Sequence, residues 1–120
     1  MIKTTRQAIE ILKEENFPID RAVLDETGLN TIEMRLESGA MVNLGVCYDK
    51  LKPEDVAAIV KRYPEKRHKL MVSSMVGNSM GGYFSVPQAV MAMRMAGLKR
   101  EEIEQITWEN PKHFFKLPLG

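Results

Sequence analysis

Residues 22–60 read AVLDETGLNTIEMRLESGAMVNLGVCYDKLKPEDVAAIV, and the order of patterns within them decides the fold class. Ala22-Val23-Leu24 is a short apolar run inside the segment Arg21 to Asp25. It ends in the polar cluster Asp25-Glu26-Thr27-Gly28, as a buried strand does where it meets a loop. Asn30 is placed to cap a short helix with Ile32 and Leu36 on one face, Glu33 at the reciprocal capping position and Gly39 as terminator. Met41 to Tyr48 reads as a second strand. Pro53 at a first helical position, Glu54 and Asp55 behind it, and Val56, Ile59, Val60 and Tyr63 at helical spacing predict the clearest helix of the chain, broken by Pro64.

The same alternation extends in both directions. Upstream, Thr4 and Gln7 form a capping-box pair ahead of Ala8, Ile11 and Leu12, which predicts an amphipathic helix closed off by Pro18. Downstream, Lys69 to Ser73 predicts a third strand. The loop Ser74 to Ser85 is rich in Gly, Ser and Asn, and Pro87 opens a helix that ends at Gly97. Ile103 and Ile106 share one side of the stretch Arg100 to Trp108. Asn110-Pro111 then restarts a final helix carrying Phe114, Phe115 and Leu117.

Strands joined by crossover helices run parallel, since each crossover returns the chain to the same end of the sheet. The expected fold is therefore α/β, with three parallel strands alternating with helices and a helical carboxy-terminal layer. No internal repeat or linker divides residues 1–120, so a single domain is expected. In such a sheet the functional residues gather at the carboxyl rim of the strands. Here that rim consists of Asp25, Glu26 and Thr27 after strand one, Tyr48, Asp49 and Lys50 after strand two, and Ser73 and Ser74 with the glycine loop after strand three.

Composition narrows the function classes. The 17 basic and 16 acidic side chains leave a formal charge of +1, so overall charge gives no strong signal for nucleic acid or an anionic membrane. The single cysteine, Cys47, cannot form a disulfide within the chain and lies in an apolar run, which favours a reducing compartment. No apolar stretch approaches the roughly 20 residues that span a bilayer, and Met1 to Glu15 lacks the apolar core of a signal peptide. A cytoplasmic location is expected.

From strand three onward, SVPQAVMAMRMAGLKREEIEQITWENPKHFFKLP resembles the end of TatD-type metal-dependent hydrolases of the amidohydrolase superfamily. Gly97, Ile103, Ile106, Asn110, Pro111, Phe114 and Phe115 carry the resemblance, and residues 22–60 are similar to that family's sixth and seventh barrel strands. The resemblance implies a partial TIM-type barrel, half-barrel-like, because the complete fold needs eight strands and roughly 250 residues. It also implies a divalent metal (zinc, manganese or magnesium) whose ligands are mostly lost here. The position matching a metal-binding histidine is Glu26, or Asp25 if the register shifts by one. No acidic residue lies between Glu65 and Glu101 to match the aspartate that would hold the metal and activate its water.

Glu26 is the one candidate metal ligand, weighed against a solvated loop acid. Lys50, Ser73 and Ser74 are the candidate substrate-binding residues, although neither serine has a base nearby in sequence to make it a nucleophile. His68 and His113 fall away from the rim. The loop from Ser74 to Gly82 would cradle an anion only without the lysine of a P-loop, so a simple connection is favoured. Met91, Met93 and Met95 are expected to fill the core, and Trp108 to anchor the terminal helices. The resulting expectation is a TatD-like fragment or degenerate homologue, inactive alone. The alternatives are a subunit of a split hydrolase or a small non-catalytic α/β binding or regulatory module. Apolar edges such as Met41 to Val46 predict self-association, or a partner chain completing the barrel.

Overall fold

The structure, a computed structural model, describes residues 1–47, 49–75 and 82–118. Helix α1 (Ile2–Glu14) leads through a 3-10 turn (Ile19–Arg21) into β1 (Val23–Leu24). Then come α2 (Ile32–Ser38), β2 (Met41–Val46), α3 (Pro53–Arg62), a second 3-10 stretch (Pro64–Lys69) and β3 (Leu70–Ser74). Helix α4 (Ser85–Met95) follows, and α5 (Arg100–Glu104) passes through a π-helical turn (Gln105–Glu109) into α6 (Asn110–Phe114).

The three strands form one parallel sheet in the order β1-β2-β3. This is the α/β arrangement that the apolar runs imply. In register, Leu24 sits opposite Val42, Val42 opposite Leu70, and Leu44 opposite Val72. Because side chains alternate across a strand, these residues share one face. Val42, Leu44, Val46 and Leu70 on that face join Ile32 and Leu36 of α2, Val56, Ile59 and Val60 of α3, Met93 of α4, and Ile103 and Ile106 in the main core. The opposite face carries Val23, Met41, Asn43, Met71 and Ser73, and its polar members build the site described below.

Several helix boundaries differ from their sequence expectation for identifiable reasons. Helix α1 starts at Ile2, with the Thr5 N–H donating to the Met1 carbonyl at 2.9 Å, so Thr4 lies inside the first turn and caps nothing. Its buried side chains are Thr5 and Ile9, one turn apart, whereas Ala8 and Ile11 are exposed. Helix α2 begins after Thr31 and not after Asn30. The Thr31 hydroxyl donates back to the Gly28 carbonyl at 3.1 Å, tightening the loop before the helix. Gly39 does end α2, at φ 89°, a left-handed conformation that glycine adopts without a Cβ clash.

Helix α3 starts at Pro53 as expected, where the missing N–H costs no helical bond, and the Asp55 carboxylate accepts the Lys52 N–H at 2.8 Å. Helix α4 starts at Ser85, two residues ahead of Pro87; the Ser85 hydroxyl accepts the Gly82 N–H at 3.0 Å. Gly97 ends its terminal turn at φ 92°. Met93 is fully buried, but Met91 and Met95 are exposed, so the methionines do not all fill the core. Trp108 is 45% exposed.

Asn110-Pro111 does not restart a helix. The backbone continues through the π turn, where the Asn110 N–H donates to the Gln105 carbonyl five residues back. A widened turn accommodates Pro111, which has no N–H to give and whose ring would crowd the carbonyl four residues earlier. The Asn110 side chain instead donates to the carbonyls of Arg67 (2.6 Å) and Leu70 (2.8 Å), fastening the terminal helix to the start of β3. Arg67 completes this junction. It donates to the Val60 carbonyl and to Glu102, both at 2.9 Å. The Lys99 N–H and then Arg67 hold the Glu102 carboxyl below the ordinary carboxylate range.

Candidate functional site

At the carboxyl end of the sheet, one polar side chain from each strand or its following loop meets the others. Asn43 sits mid-way along β2 on the face turned away from the helical core. Its amide nitrogen donates to Asp25 Oδ1 at 2.7 Å and to Ser73 Oγ at 2.7 Å. Asp25 follows β1 directly, and its Oδ1 also accepts the Glu26 N–H at 2.8 Å. Both hydrogens of the Asn43 amide are thereby used, and the side chain has one orientation. Ser73 accepts from Asn43, so its own hydrogen is free to point elsewhere.

Two features fix the loop that brings Asp25 here. Glu26 adopts φ 52°, a left-handed conformation that costs a non-glycine residue on the order of 1 kcal/mol. The Thr27 hydroxyl, fully buried, donates to the Asn43 carbonyl at 2.8 Å and ties the loop to β2. Beneath the loop lies Arg35 of α2, only 6% exposed. Its guanidinium donates to the hydroxyls of Thr31 (3.0 Å), Thr27 (3.3 Å) and Thr5 (3.2 Å) and to the Asp25 carbonyl. All four acceptors are uncharged. Burial pulls the Arg35 guanidinium below its ordinary value, while the carboxylates of Asp25 and Glu26 pull it upward. A buried cation therefore underlies the acidic loop, supported by hydrogen bonds without a directly bonded carboxylate.

The sequence-predicted residues are only partly assembled. Ser73 belongs to the cluster. Ser74, one residue on, lies on the opposite face of β3 by alternation and opposite Val46 in register, so it does not reach Asn43. Lys50, on the turn closed by the Cys47 N–H donating to the Leu51 carbonyl (3.0 Å), reaches Glu26 with Nζ to Oε2 at 2.9 Å. Glu26 is thus paired to an ammonium, and among the described residues no three His, Cys, Asp or Glu side chains come together in a way that fits a divalent ion. Cys47 is buried, with its thiol 3.3 Å from Asp49 Oδ1. His68 and His113 line a cleft that also includes Lys69, at the amino end of β3. Tyr48 and the glycine loop at 76–81 lie outside the described residues.

Sequence reasoning missed two residues that organise the site, and both had left a signal. Asn43 interrupts the run Met41-Val42-Asn43-Leu44-Gly45-Val46, and a polar residue inside a buried strand needs a partner. Arg35 lies three residues after Ile32 and one before Leu36, on the face that the apolar pattern assigns to the core.

No family model matches the chain, and no solved structure does. One curated relative gives the decisive comparison: over 90 residues the chain is 37% identical to a methionyl-tRNA formyltransferase from Mycobacteroides abscessus. This chain is similar to a formyl-transferring enzyme. The match takes in 72% of the chain and 29% of the formyltransferase, so the chain spans under a third of that relative's length.

That similarity corrects the expectation of a TatD-type hydrolase, since formyl transfer is a different class of reaction from metal-dependent hydrolysis. The fragment, degenerate-copy and split-hydrolase readings fall with it, and nothing supports the non-catalytic module. The residues behind the resemblance have structural roles. Gly97 provides a left-handed helix end, Ile103 and Ile106 fill the core, Asn110 clamps two carbonyls, and Phe114 packs edge-to-face on Phe115 with centroids 5.0 Å apart. A pattern set by packing a helix onto a parallel strand specifies no reaction.

No helix among the described residues is long and apolar enough to cross a membrane.

Proposed function

We propose that the chain is an α/β domain that handles a formyl group at the rim of the sheet, with Ser73 donating to the carbonyl oxygen, Asn43 orienting Ser73, and Asp25 facing the amine. The observation that carries this reading is the Asn43 amide fixed between the Asp25 carboxylate and the Ser73 hydroxyl, with 2.7 Å to each. Similarity to an enzyme named for formyl transfer supports the choice of group. In such a transfer an amine nitrogen bonds to the formyl carbon, the bond from that carbon to its donor breaks, the amine gives up a proton and the donor gains one. The site needs a hydrogen-bond donor for the carbonyl oxygen and an acceptor for the amine proton. The Ser73 hydroxyl, oriented by Asn43, is the donor. Asp25 Oδ2, which has no hydrogen-bond partner among the described residues, is the acceptor. Lys50, and Ser74 at the strand end, complete the ligand-binding rim, with Lys50 exchanging Glu26 for an anionic part of the ligand.

The test is binding of N-formylmethionine against methionine by isothermal titration calorimetry. The formylated amino acid is expected to bind more tightly, and Asn43→Ala to weaken it about tenfold, since a lost hydrogen bond to an oriented polar group is worth on the order of 1–2 kcal/mol. Equal binding of the two compounds, or an Asn43→Ala variant that binds like the parent while folded by circular dichroism, would rule the assignment out.

Met41–Val46 is the central strand and not an edge, and among the described residues no further strand pairs with the outer edges of β1 and β3, so in our reading the sheet is a part-barrel completed by a second copy or by a companion chain. Light scattering at high micromolar concentration is expected to give a mass above the 13.7 kDa of one chain, and a monodisperse monomer would contradict self-association. A cytoplasmic setting accords with the single free thiol of Cys47.

A further inference from the structure

At the opposite end of the sheet, a cleft of about 850 Å³ opens where the strands begin. Arg21 precedes β1, Met41 starts β2, Lys69 precedes β3, and α6 with its following turn supplies Lys112 and Lys116. The lining holds four Lys or Arg side chains against two acids, Asp20 and Glu109, a balance of +2 with His68 and His113 neutral. The whole chain is only +1, so the remaining 13 basic and 14 acidic residues sum to −1. The protein's entire positive excess is gathered here from segments distant in sequence.

Arg21, Lys69 and Lys116 have no carboxylate partner among the described residues. The Arg21 guanidinium donates to the Phe114 carbonyl at 3.2 Å and lies 5.3 Å from the centre of the Phe114 ring, which positions the group without cancelling its charge. Lys112 forms an ion pair with Glu109, with Nζ 3.7 Å from Oε2. Lys116 adopts φ 53°, a left-handed conformation that glycine enters more readily. Attraction to the carboxyl end of α6 accounts for a cation in its last turn. It does not account for Arg21 and Lys69, which arrive from other elements.

We infer that this cleft binds a phosphate group. Several cations converging on a partly apolar pocket of nucleotide size suit an anionic phosphate group with several acceptor oxygens. Two sources share that chemistry, a small phosphate compound and a nucleic-acid backbone, so the test uses inorganic phosphate and a short single-stranded RNA in parallel titrations. The double variant Lys69→Gln/Lys116→Gln is compared with Lys61→Gln on the exposed surface of α3, with urea unfolding confirming that each is folded.

At least one probe is expected to bind saturably, at least about tenfold more weakly in the double variant and unchanged in Lys61→Gln. RNA binding alone assigns the site to a nucleic-acid backbone, and phosphate binding with the same sensitivity assigns it to a phosphate compound. Saturation by neither probe, or an equal loss in Lys61→Gln, overturns the inference. Because the cleft and the formyl site lie at opposite ends of the sheet, Asn43→Ala is expected to leave both titrations unchanged.

Discussion

Replacing Arg35 by alanine is expected to lower folding stability by about 3 kcal/mol, a large part of the roughly 5–15 kcal/mol of a domain this size. The substitution strips donors from three threonine hydroxyls and the Asp25 carbonyl, and leaves a void where a long side chain lay. Returning a buried cation to water offsets part of the loss, because desolvation opposes the guanidinium in the native state. Arg35→Met separates these contributions. It fills most of the space without the charge, and is expected to cost less than half as much as alanine. Urea unfolding followed by circular dichroism measures both. An alanine variant with an unchanged midpoint would mean that the hydrogen bonds from α2 to α1 and to the Asp25 loop contribute nothing net.

The second large effect lies on the other face of the same strand. Leu44 is fully buried in central β2, among side chains from α2, α3, α4 and the terminal helices. Leu44→Ala is expected to cost about 3–4 kcal/mol, combining the lost transfer energy of the side chain with a cavity that packed neighbours cannot close. Leu44 and Asn43 point to opposite faces, so the folded fraction of Leu44→Ala should keep the parent's affinity for N-formylmethionine. A loss below 1 kcal/mol would show that the core collapses around the gap. A changed affinity in the folded fraction would show that the two faces are coupled through the strand.

Much of the scaffold was legible because burial and periodicity coincide in it. β2, β3 and α3 follow directly from largely apolar runs and from Pro53, and the parallel order puts the polar ends of the strands at one rim. Helix α1 was harder to read. It docks through the Thr5 hydroxyl on Arg35 as well as through Ile9, and a buried polar contact leaves no mark in an apolar stripe. Asn110-Pro111 carries the composition of a helix start, but the π turn lets the proline sit inside a continuous helix while the asparagine bonds across to β3.

The site was half visible for a similar reason. Asp25, Glu26, Lys50 and Ser73 follow from topology, whereas Asn43 was hidden by the apolar run around it. The basic cleft was hidden by summation. A net charge of +1 says nothing of where charges lie when Arg21, Lys69 and Lys116 are far apart along the chain and brought together only by folding.

The π turn at Gln105–Glu109 has a consequence for how the chain tolerates change in length. Such a turn holds one residue more than the regular spiral needs, so deleting a single position within it would restore ordinary winding and rotate everything beyond by about 100°. Asn110 would swing away from the carbonyls of Arg67 and Leu70, and Lys112 and Lys116 would leave the mouth of the cleft. The extra residue thus acts as a phase adjuster. It lets one uninterrupted rod present its first half to the core and its second half to the foot of the sheet.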